Sequence, residues 1–532
     1  MRIITNFKMC VMKLNKYFMM GAMGLSLVAC SDNLDENGQG ANGTNPNEGT
    51  TYAALKINFN SSSSRATGDQ PSGDDTGTTP PSYDDAEEGN EAAVKDVRIV
   101  VIDANGNREF NQVVTGVTDG TAKGDDGKLY IFQITPGEKT FYAVINGQAL
   151  GLSTELAAWD GGELTLDKNA SDLCDYNASA DAGNGFLMSS VEAVEAPIQD
   201  DITEAEVKAG TANNVKITVD RVVAKVTMQV DDEIDMSDQT ATLKNLTCQI
   251  GNADNIEYDK DGVGDAKYTG AGTYLTAQLS GTARTTPYYS YTLNATDAEG
   301  FSQTELLSGT ATSIYADGTV SQTPARFYCL ENTHASVNYL QSNTTFVRVK
   351  AEMIPNSALT FAYTAASDPT PESITVAEKE TMPKSLETFY VITAAPDQSY
   401  NGSYVFESDL AALYGASGIT SGDADTNAEK AAAVITALGQ NNRGYAFTEA
   451  YTGGAGYYNI WVNDMKDTDG SYLNIAPVFR NDWYDLTITS IQLPGDPNPD
   501  IDPEQPIHPN TNVAVTLSIR DWNKVSHNVD LQ

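Results

Sequence analysis

The chain has 532 residues, enough for roughly two to four domains with apolar cores. Its formal net charge is −40, from 72 acidic and 32 basic residues, which argues against a nucleic-acid partner because such proteins need a basic surface. Apolar residues make up 40% of the sequence, too many for a disordered chain. Tyrosine outnumbers phenylalanine, and glycine is abundant, which favours short strands joined by turns.

Residues 1–29 have the features of a signal peptide. A basic stretch at residues 8–16 precedes an apolar stretch from Tyr17 to Ala29, which is too short to span a membrane. The end of this segment, Leu27-Val28-Ala29-Cys30, resembles the lipobox of bacterial lipoproteins, in which the cysteine is acylated and becomes the mature N-terminus. The acidic residues that follow resemble a signal for the outer face of the outer membrane. We therefore predict an outer membrane lipoprotein precursor attached to membrane lipid through Cys30; an ordinary signal peptide with a chance cysteine is the alternative.

Three further cysteines lie in the predicted mature chain, at Cys174, Cys248 and Cys329. Their spacing matches no zinc-binding pattern. We predict buried thiols, with one disulfide as the alternative in an oxidising compartment.

An isolated amphipathic strand is predicted close to the N-terminus, because Ala53, Leu55, Ile57 and Phe59 alternate with other residues. Beyond it, a polar stretch continues to residue 90, and Arg65 is its one basic residue. Exposed loops are the preferred sites of proteolysis, so the bond between Arg65 and Ala66 is a candidate cleavage site. An arginine in an ordinary linker is the alternative.

In the next segments, apolar residues again occupy alternate positions. Val97, Ile99 and Val101 predict a strand, and residues 128–134 and 139–145 predict a hairpin around Thr135-Pro136-Gly137-Glu138. A short helix capped by Ser153 is expected up to residue 159. Residues 215–230 predict one long strand that changes its buried face at Asp220–Arg221, where the apolar positions shift from odd to even numbers.

An acidic segment at residues 231–237 suggests a domain boundary. Beyond it, Thr426 and Glu429 form a capping box at the start of a helix that Gly439 ends. The remaining segments with strand character are 242–250, 274–279, 325–330, 345–351, 457–463 and 483–493.

The C-terminal residues form a second isolated strand pattern. Between residues 495 and 509 there are five prolines, which cannot donate to a sheet and favour an extended, stiff tether. The strand after this tether either folds back on its own chain or fills a groove in a neighbouring molecule. Its apolar residues are Val513, Val515, Leu517, Ile519, Trp522, Val525, Val529 and Leu531.

Catalytic signatures are absent from the sequence. The three histidines, two of them at His508 and His527, are too few and too peripheral for a histidine-based catalytic or metal site. There is no phosphate-binding glycine loop. Residues 259–265 are acidic but lack the terminal glutamate of a calcium loop, so a solvated turn is the preferred interpretation. We predict no catalytic residues, no metal, no cofactor and no enzymatic activity.

Several short sequence segments (the phrases given below), taken together, resemble those of the fimbrillins, the shaft subunits of type V pili, and most closely the short, Mfa-type fimbrial kind. The set extends from the first half of the chain to its end, and Cys30 and Ser64-Arg65-Ala66 also lie where the family would have them. The phrases are Phe186-Leu187-Met188-Ser189, Val219-Asp220-Arg221-Val222-Val223-Ala224-Lys225-Val226, Tyr328-Cys329-Leu330-Glu331-Asn332, Thr345-Phe346-Val347-Arg348-Val349-Lys350-Ala351, Gly456-Tyr457-Tyr458, Val478-Phe479-Arg480-Asn481-Asp482-Trp483-Tyr484 and the terminal Trp522, Val529 and Leu531.

This resemblance implies an all-β fold with two tandem transthyretin-like β-sandwich domains and a few short helices. The implied segments are a signal peptide (1–29), a propeptide with the first strand (30–65), an N-terminal domain (66–235), a C-terminal domain (236–494) and a tether with a donor strand (495–532).

The resemblance also implies a mechanism. An arginine-specific protease would cut after Arg65 and release the first strand. The C-terminal strand of another copy would then fill the groove, so that a pilus grows on the cell surface together with accessory pilin subunits. The alternative is a surface glycan-binding lipoprotein, which would use exposed aromatic residues such as Trp159 or Trp461.

Overall fold

The computed structural model describes residues 50–59, 89–159, 165–166, 168–235, 240–253, 256–257, 269–270, 273–274, 306–332, 339–363, 374–415, 423–440, 443–464, 471–502, 505–508 and 513–522. Strands predominate among these residues, and the helices are few and short. The predicted all-β fold is therefore confirmed.

The strands of the first part of the chain contribute mainly to one sheet. In chain order they are β1 (Thr51–Phe59), β2 (Val97–Asp103), β3 (Arg108–Val113), β4 (Gly116–Val117), β5 (Leu129–Ile134), β6 (Gly137–Ile145), β7 (Thr165–Leu166), β8 (Cys174–Asp175), β9 (Gly185–Phe186), β10 (Met188–Ser190), β11 (Val194–Ile198) and β12 (Asn214–Arg221).

The later strands form two larger sheets and several two- or three-stranded ones. They are β13 (Val223–Asp235), β14 (Ala241–Gly251), β15 (Ile256–Glu257), β16 (Thr269–Gly270), β17 (Thr273–Tyr274), β18 (Leu307–Ala316), β19 (Thr319–Val320), β20 (Ala325–Leu330), β21 (Phe346–Pro355), β22 (Leu359–Tyr363), β23 (Ile374–Glu378), β24 (Phe389–Ala394), β25 (Tyr404–Phe406), β26 (Ala446–Phe447), β27 (Ala455–Trp461), β28 (Asp482–Ile491) and β29 (Val513–Asp521).

The helices are peripheral to these sheets. They are α1 (Ser153–Ala158), α2 (Ala170–Leu173), α3 (Glu204–Ala209), α4 (Glu407–Ala412) and α5 (Asn427–Gly439), with short 3-10 helices at Gln398–Tyr400 and Thr452–Gly454.

The first sheet has the strand order β3-β2-β6-β10-β12-β1-β5-β4, and β11 pairs with β6. The predicted hairpin of residues 128–134 and 139–145 is wrong, because β5 and β6 are separated in this sheet by β10, β12 and β1. The turn at Pro136–Gly137 exists, but the two strands that it joins pair with other partners. A turn signature fixes where the chain reverses and leaves the long-range partners open.

Two sheets enclose the second core. One has the order β20-β13-β28-β29 and the other the order β19-β18-β14-β21-β27. Buried residues of β13, β14, β21 and β28 pack between them. A third, smaller core lies between α4, α5 and strands β22 to β26.

The chain passes from the first core to the second where β12 ends and β13 begins. Val219, Val222 and Val223 are buried in the first core, whereas Ala224 and Val226 are buried in the second. The predicted change of buried face at Asp220–Arg221 thus lies within two residues of the observed break at Val222. The division into domains at residues 235 and 236 stays a prediction.

The helix predictions differ in their outcome. The capping box of α5 is confirmed, because the backbone N–H of Glu429 donates to Thr426 Oγ1 (3.2 Å) and that of Thr426 donates to Glu429 Oε2 (2.9 Å). The cap predicted at Ser153 is wrong, because Ser153 is already the first helical residue and Leu152 precedes it without a side-chain cap. Of the strand predicted at residues 274–279, only Tyr274 is described, at the end of β17.

The cysteines lie in apolar surroundings. Cys248 and Cys329 are buried, Cys174 is half-buried, and the structure shows no disulfide among the three. Burial raises the pKa of the Cys248 thiol to about 12, so this thiol is protonated and unreactive at neutral pH. Within the described residues, no helix combines the length and apolarity that a membrane crossing needs. The acidic segment 259–265 lies outside the described residues.

Candidate functional site

β1 is isolated in the sequence but lies in the interior of the first sheet. It pairs in parallel with β12, with Ile57 opposite Ile217, and antiparallel with β5, with Ala53 opposite Phe132. Three of its four predicted apolar residues, including Leu55, are completely buried, and Phe59 is half-buried. β1 therefore satisfies a row of backbone groups on each of its two neighbours.

The start of β1 is also held from outside the sheet. The backbone N–H of Tyr52 donates to the carbonyl of Ile202 (3.1 Å), and the amide of Asn213 donates to the carbonyl of Tyr52 (2.9 Å). These contacts come from the segment between β11 and β12, so three separate parts of the chain hold β1.

β29, by contrast, is an edge strand. Among the strands that the structure describes, it pairs antiparallel with β28 alone, with Val515 opposite Ile488 and Leu517 opposite Leu486. Val515 and Leu517 are half-buried against the second core. The sequence left open whether the C-terminal strand pairs with its own chain or with a neighbouring molecule. In this uncut chain it folds back on its own chain.

The proline-rich segment before β29, predicted as an extended, stiff tether, packs against the rest of the chain. Ile501 and Ile507 are buried beside Trp461, whose indole N–H donates to the carbonyl of His508 (2.8 Å). Apolar residues between the prolines supply this packing. Where the structure describes it, the segment forms isolated bridges, from Asp496 to Tyr457 of β27 and from Pro506 to Leu340, as expected for a chain with few N–H donors.

Trp522, directly after β29, fills a buried socket that belongs to the first core. Its indole N–H donates to Glu91 Oε2 (2.8 Å). The same carboxylate accepts from Tyr328 (2.7 Å) and pairs with Lys225 (2.9 Å), and both charged side chains of this pair are at most 1% exposed. We call Glu91, Arg221, Lys225 and Tyr328 the Trp522 socket.

Aromatic and cationic groups surround the Trp522 ring. Tyr328 is stacked on it, with ring centroids 5.8 Å apart, and Phe186 meets it edge-on at 5.5 Å. The Arg221 guanidinium lies 4.6 Å from the ring centroid, and its Nε donates to the backbone carbonyl of Glu91 (2.9 Å). Such contacts are strongest when they are shielded from water, as they are here.

Burial governs the ionisation of this socket. Desolvation lowers the pKa of Lys225, and the charge of Glu91 opposes that shift. Desolvation, followed by the charge of Glu91, raises the pKa of Tyr328, so its hydroxyl keeps its proton and donates it in the hydrogen bond. The Trp522 socket is therefore a buried network of hydrogen bonds and ion pairs in which the Tyr328 hydroxyl stays protonated.

A second buried polar network adjoins the socket. Asn481 accepts from the backbone N–H of Arg221 (3.2 Å) and donates to Asp220 (3.1 Å), while Arg480 pairs with Glu331. These residues join the start of β28 to the break between β12 and β13.

Most of the phrases that carried the sequence resemblance meet at this place. The segments 186–189, 219–226, 328–332 and 478–484 all contribute side chains to the Trp522 socket or to the adjoining network. Sequence reasoning missed Glu91. The signal that could have indicated it is the presence of Arg221 and Lys225 in an otherwise apolar segment, because buried cations require an acidic partner.

Other predicted site residues cannot be placed. Cys30, Arg65 and Ala66 lie outside the described residues, as do Val525, Val529 and Leu531. Among the described residues, no cluster of three or more potential ligands for a metal ion is found.

Residues 449–528 match the family model described as "Major fimbrial subunit protein type IV, Fimbrillin, C-terminal". This region contains β27, β28, the proline-rich segment, β29 and Trp522. The predicted resemblance to the fimbrillins is confirmed. The fimbrillin match supports a role as a subunit of a cell-surface pilus.

Solved structures with similarity to this fimbrillin-like chain include a putative cell adhesion protein from Parabacteroides distasonis ATCC 8503, with 14% identity over 89% of this chain and 100% of that chain and a TM-score of 0.39. A fimbrilin (FimA) from Porphyromonas gingivalis W83 has 14% identity over 89% of this chain and 98% of that chain, with a TM-score of 0.37. The tip fimbrial protein Mfa3 from Porphyromonas gingivalis has 12% identity over 89% of this chain and 100% of that chain, with a TM-score of 0.32. A comparison with curated protein sequences found no match.

Proposed function

We propose that the protein is a structural shaft subunit of a cell-surface pilus that supports adhesion. It is exported as an outer membrane lipoprotein through Cys30, activated by cleavage after Arg65, and polymerised when its C-terminal strand enters another copy. Its partners are further copies of itself, accessory pilin subunits and an arginine-specific protease.

The observation that carries this proposal is the position of β1. It pairs with two neighbours in the interior of a sheet, yet only the chain segment 60–88, which contains Arg65, connects it to the rest of the protein in the C-terminal direction. A cut after Arg65 would turn β1 into a separate peptide. Its departure would leave unpaired backbone groups on both β12 and β5 beside an apolar groove. Because unpaired backbone groups and exposed apolar surface are costly, this groove requires a replacement strand.

β29 has the properties of that replacement. It has the same length as β1, nine residues, and the same alternation of apolar positions. It has one strand partner in the uncut chain and would have two in the groove. Each additional backbone hydrogen bond stabilises the new arrangement by about 1 kcal/mol net.

Cleavage supplies the timing. While β1 is covalently attached, its effective concentration at the groove is on the order of millimolar or higher, and an external strand competes poorly. After the cut, this advantage is lost.

The alternative of a glycan-binding lipoprotein loses its main support in the structure. Trp159 and Trp461, the aromatic residues that would have served as binding platforms, are only 3% and 5% exposed. They pack in the interior and present no stacking surface to a sugar.

The test is to incubate residues 31–532 with an arginine-specific protease, to read the new N-terminus by mass spectrometry, and to run the product unheated on a denaturing gel. The proposal predicts a new N-terminus at Ala66 and a ladder that heating abolishes. The variant Arg65→Ala is the control and should remain monomeric. Complete cleavage at Ala66 without a ladder, or a ladder from Arg65→Ala, would contradict the proposal.

A further inference from the structure

One face of β1 is covered by a loop and a helix that act together. The loop comprises residues 119–128 and the helix is α3; we call them the β1 clasp. The backbone N–H of Asp125 donates to the carbonyl of Ile57 (2.8 Å), and the Asp125 carboxylate accepts from the N–H of Phe59 (3.1 Å). The clasp thus binds the backbone of β1 directly.

The fit between clasp and strand is tight. A Cβ atom on Gly124 would lie 2.3 Å from the carbonyl oxygen of Ile57 and 2.6 Å from its nitrogen. Only glycine allows this approach. The loop therefore lies directly against the backbone of the strand in the groove.

The loop is fastened to the helix. The backbone N–H of Thr121 donates to the carbonyl of Lys208 (2.9 Å), and the Lys208 ammonium pairs with Asp119 (2.9 Å) and Glu204 (2.7 Å). A Cβ on Gly120 would lie 2.6 Å from the same Lys208 carbonyl. Loop and helix are therefore joined by backbone and side-chain contacts.

Beneath the clasp lies a small apolar site that Ala54 fills. Ala54 is completely buried and packs with Ala122, Leu129 and Val207. The other face of β1 points into the first core through Ala53, Leu55 and Ile57. Because closely packed interiors do not accommodate added methylene groups without strain, the site under the clasp admits only a small side chain.

We propose that the β1 clasp is a size filter that selects the strand entering the groove and fixes its register: β29 of a second copy enters with Ala514 in the place of Ala54. This inference rests on the proposed function. The filter acts on the face of the strand that does not enter the first core.

The sequence of β29 fits this register over its whole length. Val513, Val515, Leu517 and Ile519 take the places of Ala53, Leu55, Ile57 and Phe59, so four apolar residues replace four. The residue under the clasp is the same, alanine. Thr516 and Ser518 take the half-buried positions of Lys56 and Asn58.

Neighbouring registers fit less well. A slip of two residues in one direction puts Thr516 under the clasp and Asp521 in the place of Phe59. A slip in the other direction buries Asn512 in the apolar site, where its amide has no evident partner. The strand enters in the direction of β1, because the backbone groups of β12 and β5 are already spaced for that direction.

The experiment uses the cleaved wild-type chain as acceptor and synthetic peptides of residues 511–523 as chain terminators. The wild-type peptide should inhibit elongation, measured as loss of the ladder on unheated gels. The Ala514→Leu peptide should be at least about tenfold weaker, because overpacking of a closed site carries a cost of that order. The Ser518→Leu peptide adds a larger side chain on the same strand face and should stay within about twofold of wild type.

A second measurement tests the clasp itself. In an acceptor carrying Val207→Ala, the Ala514→Leu peptide should recover to within about threefold of the wild-type peptide, because the substitution enlarges the site. Thermal unfolding of the uncut variant verifies that the acceptor is folded.

The outcomes are distinct. Equal potency of the Ala514→Leu and Ser518→Leu peptides would overturn the size filter, and a selective loss with Thr516→Leu would overturn the register. A wild-type peptide without effect on a chain that elongates would overturn the assignment of β29 as occupant. If the cleaved wild-type chain gives no ladder at all, the proposed function fails before any peptide is added.

Discussion

Trp522 should hold β29 on its own chain until the strand is needed elsewhere. Replacing it with alanine removes a ring that is 3% exposed, stacked on Tyr328 and hydrogen-bonded to Glu91. Truncation of a buried aromatic residue of this size costs about 3–5 kcal/mol, which includes the lost hydrogen bond. Because β29 pairs with β28 alone, we expect most of this loss to appear as local opening of β29.

The measurement is hydrogen exchange of residues 513–521, followed by mass spectrometry of peptides from the uncut chain. A loss of about 3–4 kcal/mol corresponds to exchange that is roughly 10²–10³ times faster. The control Trp522→Phe keeps the ring contacts but loses the indole N–H, and we expect an acceleration of about tenfold from one hydrogen bond to a carboxylate. Unchanged exchange in β29 of Trp522→Ala, or the same acceleration throughout the first sheet, would refute this reasoning.

Three further predictions concern the tail and the buried charges. Deletion of residues 510–532 should give a chain that is still folded and cleaved but does not elongate; a ladder from this variant would place the donor strand elsewhere. Lys225→Met removes the cation that lies 2.9 Å from the buried Glu91 carboxylate, so urea titration should show a free energy of unfolding lower by about 3–5 kcal/mol. Lys244→Met, at an exposed ion pair, should change it by less than about 0.5 kcal/mol, and equal effects of the two substitutions would contradict the assignment. Burial raises the pKa of Tyr484 well above 10, as it does for other buried tyrosines. Above pH 10 the unfolded chain therefore ionises first, and the free energy of unfolding should fall by about 1.4 kcal/mol per pH unit for each such tyrosine. The lowered pKa of Lys225 opposes this fall only up to its ordinary value of 10.5, and urea titrations that give a constant free energy of unfolding up to pH 11 would exclude the prediction.

The sequence predicted the strands well because each has one buried face. Alternation identified β1, β2, β14, β20 and β28 close to their observed ends. Even the break between β12 and β13 was visible as a shift in the apolar positions, since a one-residue slip turns every side chain to the other face.

Pairing could not be predicted in the same way. Alternation states which side of a strand is buried and contains no information on which strand lies next to it. The predicted hairpin of β5 and β6 failed for that reason, and the place of β1 between β12 and β5 depends on residues more than 70 positions away in each case.

The Trp522 socket escaped prediction because it is assembled from distant segments. Glu91 carries no local signal in an acidic stretch, and its partner Trp522 follows it by 431 positions. The packing of Ile501 and Ile507 could not be predicted for a related reason. The prolines indicate that the segment cannot join a sheet, but they do not indicate where its apolar side chains pack.

The central claim, that β29 leaves β28 of its own chain and enters another copy, is tested most directly by fixing the strand in place. Thr487 on β28 lies opposite Thr516 on β29, and neighbouring strands bring Cα atoms within the range that a disulfide requires. The variant Thr487→Cys/Thr516→Cys, oxidised before cleavage, should be cut after Arg65 yet remain monomeric, and a reductant should then release growth of the ladder; the two single-cysteine variants should elongate with or without reductant. If the oxidised double variant elongates at the wild-type rate, β29 is not the strand that is exchanged.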